Sequence, residues 1–230
     1  MNEVFSSPFF GITLSILTFE IGIWLEKKTK LAIANPLLIA VVLCIAVLEL
    51  FHIPLASFDE GGSVISVFLG PATAVLALSI YTQLSRLKKY FLPVLAGTVV
   101  GSLVSVGSAY LLSRWFGLDQ VLTDSLLVKS VSTPFALAIS PNIGGIPAVT
   151  VAAVVLTGIL GAVWAPLMLK LFRVRDPVVA GVAIGTSSHA VGTSKAITLG
   201  EVEGAMSGIA LAMAGLITVL ISLFLAHPGR

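Results

Sequence analysis

Charged side chains are scarce in this sequence, with 13 Lys and Arg against 11 Asp and Glu in 230 residues. A soluble domain carries roughly a quarter of its residues as charges, so a water-facing surface of ordinary extent is excluded. The two signs nearly cancel, to a net charge of +2, and no basic patch offers itself to nucleic acid. The single cysteine, Cys44, lies in an apolar run; an internal disulfide and a multi-cysteine metal centre are excluded, and packing is its expected role. There is no HExxH, no GxSxG and no cysteine cluster, so the common metalloprotease and hydrolase signatures are missing. The amino end, MNEVFSS, holds an acid and no basic stretch. The first apolar run therefore reads as a retained helix and not as a cleaved signal peptide.

What is abundant is hydrophobicity, at 57% of residues with a mean hydropathy of +1.08. This composition predicts an all-α polytopic membrane protein forming a single membrane domain over residues 1–230. Apolar segments fall near 8–25, 33–51, 63–85, 91–112, 126–140, 146–170, 178–199 and 205–226. Basic loops at Glu26 to Lys30, Arg86 to Lys89 and Lys170 to Arg175 should be cytoplasmic by the positive-inside bias. They share a side only if 126–140, which is short and flanked by Lys129 and by Ser140-Pro141-Asn142, enters as a re-entrant or half-crossing element. About seven crossings follow, with the amino end outside and the carboxyl end cytoplasmic.

The halves of the chain echo each other. FLGPATAV (68–75) resembles AIGTSSHAV (183–191), SPFF (7–10) resembles TPFA (133–136), and NPLLIA (35–40) resembles APLMLK (165–170), in the same order. Combined with the threading, the order suggests two inverted-topology repeats, about 8–112 and 126–226, with discontinuous helices and alternating access at a central site.

The stretch AIGTSSHAVGTSKAITLGE (183–201) falls where a span is expected and is rich in glycine, hydroxyls, a histidine and a lysine. Breaks at Gly70-Pro71-Ala72-Thr73 and at Gly185-Thr186-Ser187-Ser188 would free backbone groups for a ligand. His189 and Lys195 are costly within hydrocarbon and so belong by default to a polar interior, with snorkelling as the competing reading for Lys195 and for Lys129. The glycines and hydroxyls also have a plain reading, as close helix packing and back-bonding to the helix. In SPNIGGIP (140–147), Asn142 and Gly144 suit a loop that exposes backbone amides, or else an ordinary turn. The expected substrate-binding set is Gly70, Pro71, Thr73, Asn142, Gly144, Gly185, Thr186, Ser187, Ser188, His189, Ser194 and Lys195. Hydroxyls, helix amino ends and cations favour a small carboxylate. Three consecutive residues, Ser187, Ser188 and His189, point in different directions on a helix, so no catalytic set, metal or cofactor is expected. The small-residue pairs Gly97/Gly101 and Gly204/Gly208 would suit an oligomeric pore.

The motifs NPLLIA, FLGPATAVLA, VKSVSTPFALAIS, GGIPAVTVAAVVLTGILGA and GTSSHAVGTSKAITLGEVEGAMSGIAL resemble the LrgB/CidB family of bacterial inner-membrane proteins over nearly the whole chain. The resemblance implies one of two functions. One is a holin- or antiholin-like modulator of murein hydrolase export and lysis; the other is a carrier of small monocarboxylates, since the family is also similar to the membrane domain of the plastidic glycolate/glycerate transporter. It further implies a small LrgA/CidA-type membrane partner. A homodimer is also expected.

Overall fold

The computed structural model describes residues 5, 7–29, 35–68, 70–71, 74, 81 and 84–225. Nine α-helices and no strand occur among them. The chain divides into two compact units, Met1–Ala74 and Val75–Arg230.

In the first unit, α1 (Pro8–Thr29) packs against both α2 (Pro36–Leu50) and α3 (Leu55–Ser66). Asn35 starts α2, its side chain accepting from the amides of Leu37 at 3.0 Å and Leu38 at 3.3 Å, and Pro36 follows where no N–H is needed. Bare backbone makes the contacts: a Cβ on Gly22 would meet the Pro36 Cα at 2.8 Å, and Gly11 and Gly61 face each other's Cα atoms. Lys28 at the end of α1 lies 4.7 Å over the Trp24 ring, a cation held on an aromatic face as at a membrane interface. Glu20 and Glu49 are exposed. α3 was not anticipated; its Asp59-Glu60-Gly61-Gly62 run reads as a connector.

The second unit holds α4 (Leu84–Trp115), α5 (Gln120–Leu127), α6 (Thr133–Ile139), a 3-10 turn (Ser140–Ile143), α7 (Pro147–Leu171), α8 (Pro177–Leu199) and α9 (Glu201–Leu225). Pro93 bends α4, whose one non-helical residue is Tyr90, by removing a donor and crowding the preceding turn. Asp119 caps α5 through the Leu122 amide at 2.7 Å, and Asp176 caps α8 through the Val178 amide at 2.8 Å. The stretch 126–140 is divided between the end of α5, a non-helical link and the seven residues of α6, each too short to cross ~30 Å of hydrocarbon.

Among the described residues, four helices are long and apolar enough to cross a membrane: Pro8–Thr29, Lys88–Trp115, Pro147–Leu171 and Glu201–Leu225. Their outer faces are greasy, with Trp115 80% and Phe224 90% exposed, which suits lipid rather than water. The 15-residue α2 is apolar but shorter, and much of 63–85 lies outside the described residues.

Residues 178–199, expected as a crossing with a break at Gly185 to Ser188, break one residue later and fold back on themselves instead of crossing. A continuous helix would hold Gly181 and Ile197 about 24 Å apart, yet Gly181 packs against Glu203 and Met206 while Ile197 packs against Gly204. Along the first half of α8, Gly181 meets Glu203 and Gly185 meets Ser207, so this half runs parallel to α9. In the second half, Thr193 meets Ser207 and Ile197 meets Gly204, so that half runs antiparallel to α9. Gly192 accordingly lies against Ser188 and Ile184. α8 is a hairpin of two half-helices that reverses at His189, the one residue in it with non-helical dihedrals (φ 42°, ψ −138°).

Gly97 packs on Val182 and Gly101 on Thr186, so α4 runs parallel to the first half of α8; Gly161 meets Ser188 and Gly158 meets His189, which makes α7 antiparallel to it. The glycine pairs read as faces for an oligomeric pore are thus occupied within the chain at Gly97, Gly101 and Gly204, while Gly208 has nothing within 4 Å of the position of its missing Cβ.

Candidate functional site

The tip of the α8 hairpin is built by small residues that let backbones meet. Gly185 lies on the backbone of Ser207, and neither Gly181 nor Gly185 has a positive φ. Their value is the missing side chain, so the helix stays regular from Gly185 to Ser188 and breaks one residue later. That break puts a non-glycine residue into dihedrals favoured by glycine, a strain of about 1–3 kcal/mol that surrounding contacts must offset. His189 is 3% exposed, and its Nε2–H donates to the Val154 carbonyl of α7 at 2.9 Å. Gly158 leaves room for the ring. The His189 carbonyl, loosened by the break, accepts from Thr193 Oγ1 at 2.9 Å, so the Ser207 hydroxyl must donate to Thr193 at 2.9 Å. His189 is therefore a tie between α8 and α7, and it lines neither of the two larger cavities that flank α8.

Those cavities are separated by Ala183 and Ser187, which line both. One, of about 140 Å³, lies between α7 and α8 beside Gly161 and Trp164. The other is a cleft of about 790 Å³ between α4 and α8. Because these helices run in parallel, its lining can be read in order. It starts apolar at Pro93, Val94 and Val178, passes Val100 and Val182, and ends at Ser105, Thr186, Ser187, Lys129 and Ser130. Lys129 is the one charged side chain among the described residues that line it.

The polar end is organised by Ser130. Its Oγ accepts from Ser105 Oγ at 2.7 Å and from Lys129 Nζ at 3.3 Å, so its own O–H remains free to donate. The ammonium has three donors and this contact uses one. Behind this end, a void of about 10 Å³ is lined by Ser102, Ser105, Ser130, Thr186 and Thr218 among others. Ser102 Oγ and Thr186 Oγ1 are both buried without a hydrogen-bond partner, and the void has the size of one water. An unpaired buried hydroxyl costs about 1–3 kcal/mol, so a water or ligand atom between these two would be well held.

The remaining expected residues scatter. Gly70 and Pro71, in the first unit, lie in helical backbone and are exposed; Thr73 lies outside the described residues. The loop 140–147 does not present free amides, because Gly144, Gly145 and Ile146 donate to Pro141, Ser140 and the Ser125 hydroxyl. Asn142 is exposed and bonds its own turn through Ala138 at 2.7 Å, and Gly144 (φ 91°) ends that turn. A buried knot holds the loop: Ser140 Oγ meets Thr150 Oγ1 at 2.6 Å, and Thr150 reaches the Ser125 carbonyl at 3.0 Å. Ser188 is buried in the seam beside Gly161 and Gly192, and Ser194 is exposed with its hydroxyl on the Ala190 carbonyl. Lys195 is half-buried and lines neither of these cavities. No group of three His, Cys, Asp or Glu side chains fit for a metal occurs among the described residues. From the expected set, Thr186 and Ser187 come to the cleft. Ser102, Ser105 and Ser130 were missed, since lone serines in an apolar helix such as α4 give no signal beyond back-bonding, and Ser130 lies in a non-helical link whose place beside α4 spacing does not show.

The family model described as LrgB-like matches residues 15–227. The chain is 41% identical to the "Antiholin-like protein LrgB" of Bacillus subtilis (strain 168) over 216 residues, 94% of either chain. It is 40% identical to the protein of that name in Bacillus mycoides (strain KBAB4) and 39% to that in Bacillus cereus (strain B4264), again over 94% of each. No solved structure matches. With a match of this extent and four apolar helices of spanning length, the chain belongs to the LrgB-like family of multi-pass membrane proteins.

Proposed function

We propose that the protein acts as an antiholin-like component of a bacterial cytoplasmic membrane, restraining permeabilisation by a small LrgA/CidA-type partner and working as a homodimer. The observation that carries this reading is the 41% identity over 94% of a chain bearing the antiholin-like name. Co-expressing the chain with such a partner should delay entry of a membrane-impermeant dye and lower hydrolase activity in the medium. Unchanged dye entry at equal partner levels would refute it.

A second reading, facilitated passage of small monocarboxylates such as pyruvate, glycolate or glycerate by alternating access, is favoured by the polar end of the α4–α8 cleft. The Lys129 ammonium, the free O–H of Ser130 and the unpartnered hydroxyl of Thr186 form a donor set suited to a carboxylate, and the inverted repeats suggested by the sequence echo would provide the symmetry such a cycle uses. Proteoliposomes with a trapped dye of ~500 Da separate the readings: saturable uptake with the dye retained supports passage, and unsaturable uptake with dye loss refutes it.

We further propose a threading that follows from the α8 hairpin. If Lys170 to Arg175 is cytoplasmic and α8 returns to the side it entered from, α9 ends outside, opposite to the carboxyl end expected from the sequence. A phosphatase fused after Leu225 should be active in the periplasm; activity only from a cytoplasmic reporter would sink this.

A further inference from the structure

We infer that the α4–α8 cleft binds monocarboxylates that carry an apolar tail, with Lys129 as the anion anchor and the tail lying along the trough toward Val94 and Val178. The inference rests on the second reading above, that the polar end takes a carboxylate, and it adds the class of substrate.

The first support is the order of the lining. Gly97 meets Val182 and Gly101 meets Thr186, so one turn of α4 matches one turn of α8 and the cleft has two distinct ends. From Val94 to Ser105 the helix rises ~16 Å, and over most of that length the walls are Pro93, Val94, Val100, Val104, Val178 and Val182. A volume of about 790 Å³ far exceeds what a two- or three-carbon acid fills, and a bare carboxylate would leave the trough unused.

The second support is charge. Lys129 is the one charged residue among the described lining residues, and a lone cation in an apolar cleft selects an anionic head by complementarity. The head has a further donor in the free O–H of Ser130, which already accepts from Ser105 and Lys129, and the Thr186 side chain, 6% exposed with an unpartnered hydroxyl, lies between the cleft and the small void behind it. Ser187 is a weaker contributor, since its hydroxyl donates to the Ala183 carbonyl at 2.8 Å.

The third support is depth. Pro177 to Ser188 is twelve residues, so the hairpin tip lies ~17 Å from its start, about halfway through a ~30 Å hydrocarbon core. A carboxylate at Lys129 would then sit near the midplane, with its tail toward the side where α4 and α8 begin.

The test is displaceable binding of radiolabelled acetate, butyrate and hexanoate to the purified full chain in phosphatidylcholine nanodiscs, with empty nanodiscs subtracted. Affinity should rise roughly fourfold per methylene. Lys129→Gln should weaken all three acids at least tenfold, and Lys129→Arg should retain them. Val100→Phe, at a side chain 59% exposed and therefore tolerant of the change, should flatten the dependence on chain length. Equal, Lys129-dependent binding of the three acids would leave the carboxylate reading standing and overturn this inference. Binding that ignores Lys129→Gln would overturn the anchor. Absence of displaceable binding in the unaltered chain would remove the carboxylate reading and the inference with it.

Discussion

Alanine in place of Gly185 tests the seam on which the α8 hairpin depends. A Cβ there would lie 2.9 Å from both the Cα and the carbonyl carbon of Ser207, whereas carbon atoms rest at about 3.5–4.0 Å. The obstacle is helical backbone, so α8 and α9 must part by more than half an ångström. They are also held by the Thr193–Ser207 hydrogen bond at 2.9 Å, which such a movement strains. Overpacking of this kind costs about 1–3 kcal/mol, but alanine also gains about 1 kcal/mol of helix preference over glycine. The right comparison is therefore Gly208→Ala in α9, where the missing Cβ has nothing within 4 Å. Subtracting the two cancels the helix term. Gly185→Ala should be less stable than Gly208→Ala by about 1–3 kcal/mol, or about five- to over a hundredfold in the folded-to-unfolded ratio. Reversible SDS unfolding in mixed micelles, followed by tryptophan fluorescence, measures the difference. Equal stabilities would refute the backbone contact and the hairpin geometry built on it.

Other substitutions probe the break and the buried knot. His189→Gly should be more stable than His189→Ala by at least about 1 kcal/mol in the same unfolding assay, because both lose the bond to Val154 but only glycine relieves the positive φ; the ordinary order, with alanine the more stable in a helix, would count against the reversal. Ser188→Ala should change stability by less than about 1 kcal/mol, since its hydroxyl meets only Ser187 at 3.0 Å, while Ser188→Leu should cost over about 2 kcal/mol against Gly161 and Gly192; thermal unfolding in detergent separates them. Ser140→Ala and Thr150→Val should each cost about 1–3 kcal/mol by orphaning a buried partner, and the double variant should cost clearly less than their sum. Additive losses would mean the two hydroxyls are not paired.

The class of molecule was legible in the sequence, because hydropathy and scarce charge respond to solvent and not to topology. The polar run at 183–201 was likewise recognisable as unusual. Its meaning was not, because Gly185 and His189 each admit two roles: a glycine can supply a rare dihedral or a missing side chain, and here it supplies the latter while a histidine takes the rare dihedral. Sequence spacing shows a break but not a reversal, so Lys195 and Ser194 read as continuing the same crossing; once the chain reverses at His189, they lie on the returning half. The cleft was harder still. Ser105 comes from α4 and Ser130 from the non-helical link after α5, and they matter only through one hydrogen bond at 2.7 Å, and Lys129, noted for its charge, gains meaning only from the apolar walls around it. α3 was obscured by acids at Asp59 and Glu60 that read as a connector.

A hairpin that reverses inside the membrane also constrains how the protein is made. The two halves of α8 are each about a dozen residues and rich in hydroxyls, so neither can be released into lipid as an independent span. The tip can be stable only when the Val154 carbonyl of α7, the Gly97 and Gly101 face of α4 and the backbone of Ser207 in α9 are already there to receive it. Synthesis delivers α9 after α8. α8 must therefore wait, shielded by the translocation machinery or by the half-built bundle, until the segment after it has been integrated, and a chain arrested before Ser207 would carry a complete α8 that has no wall to close against.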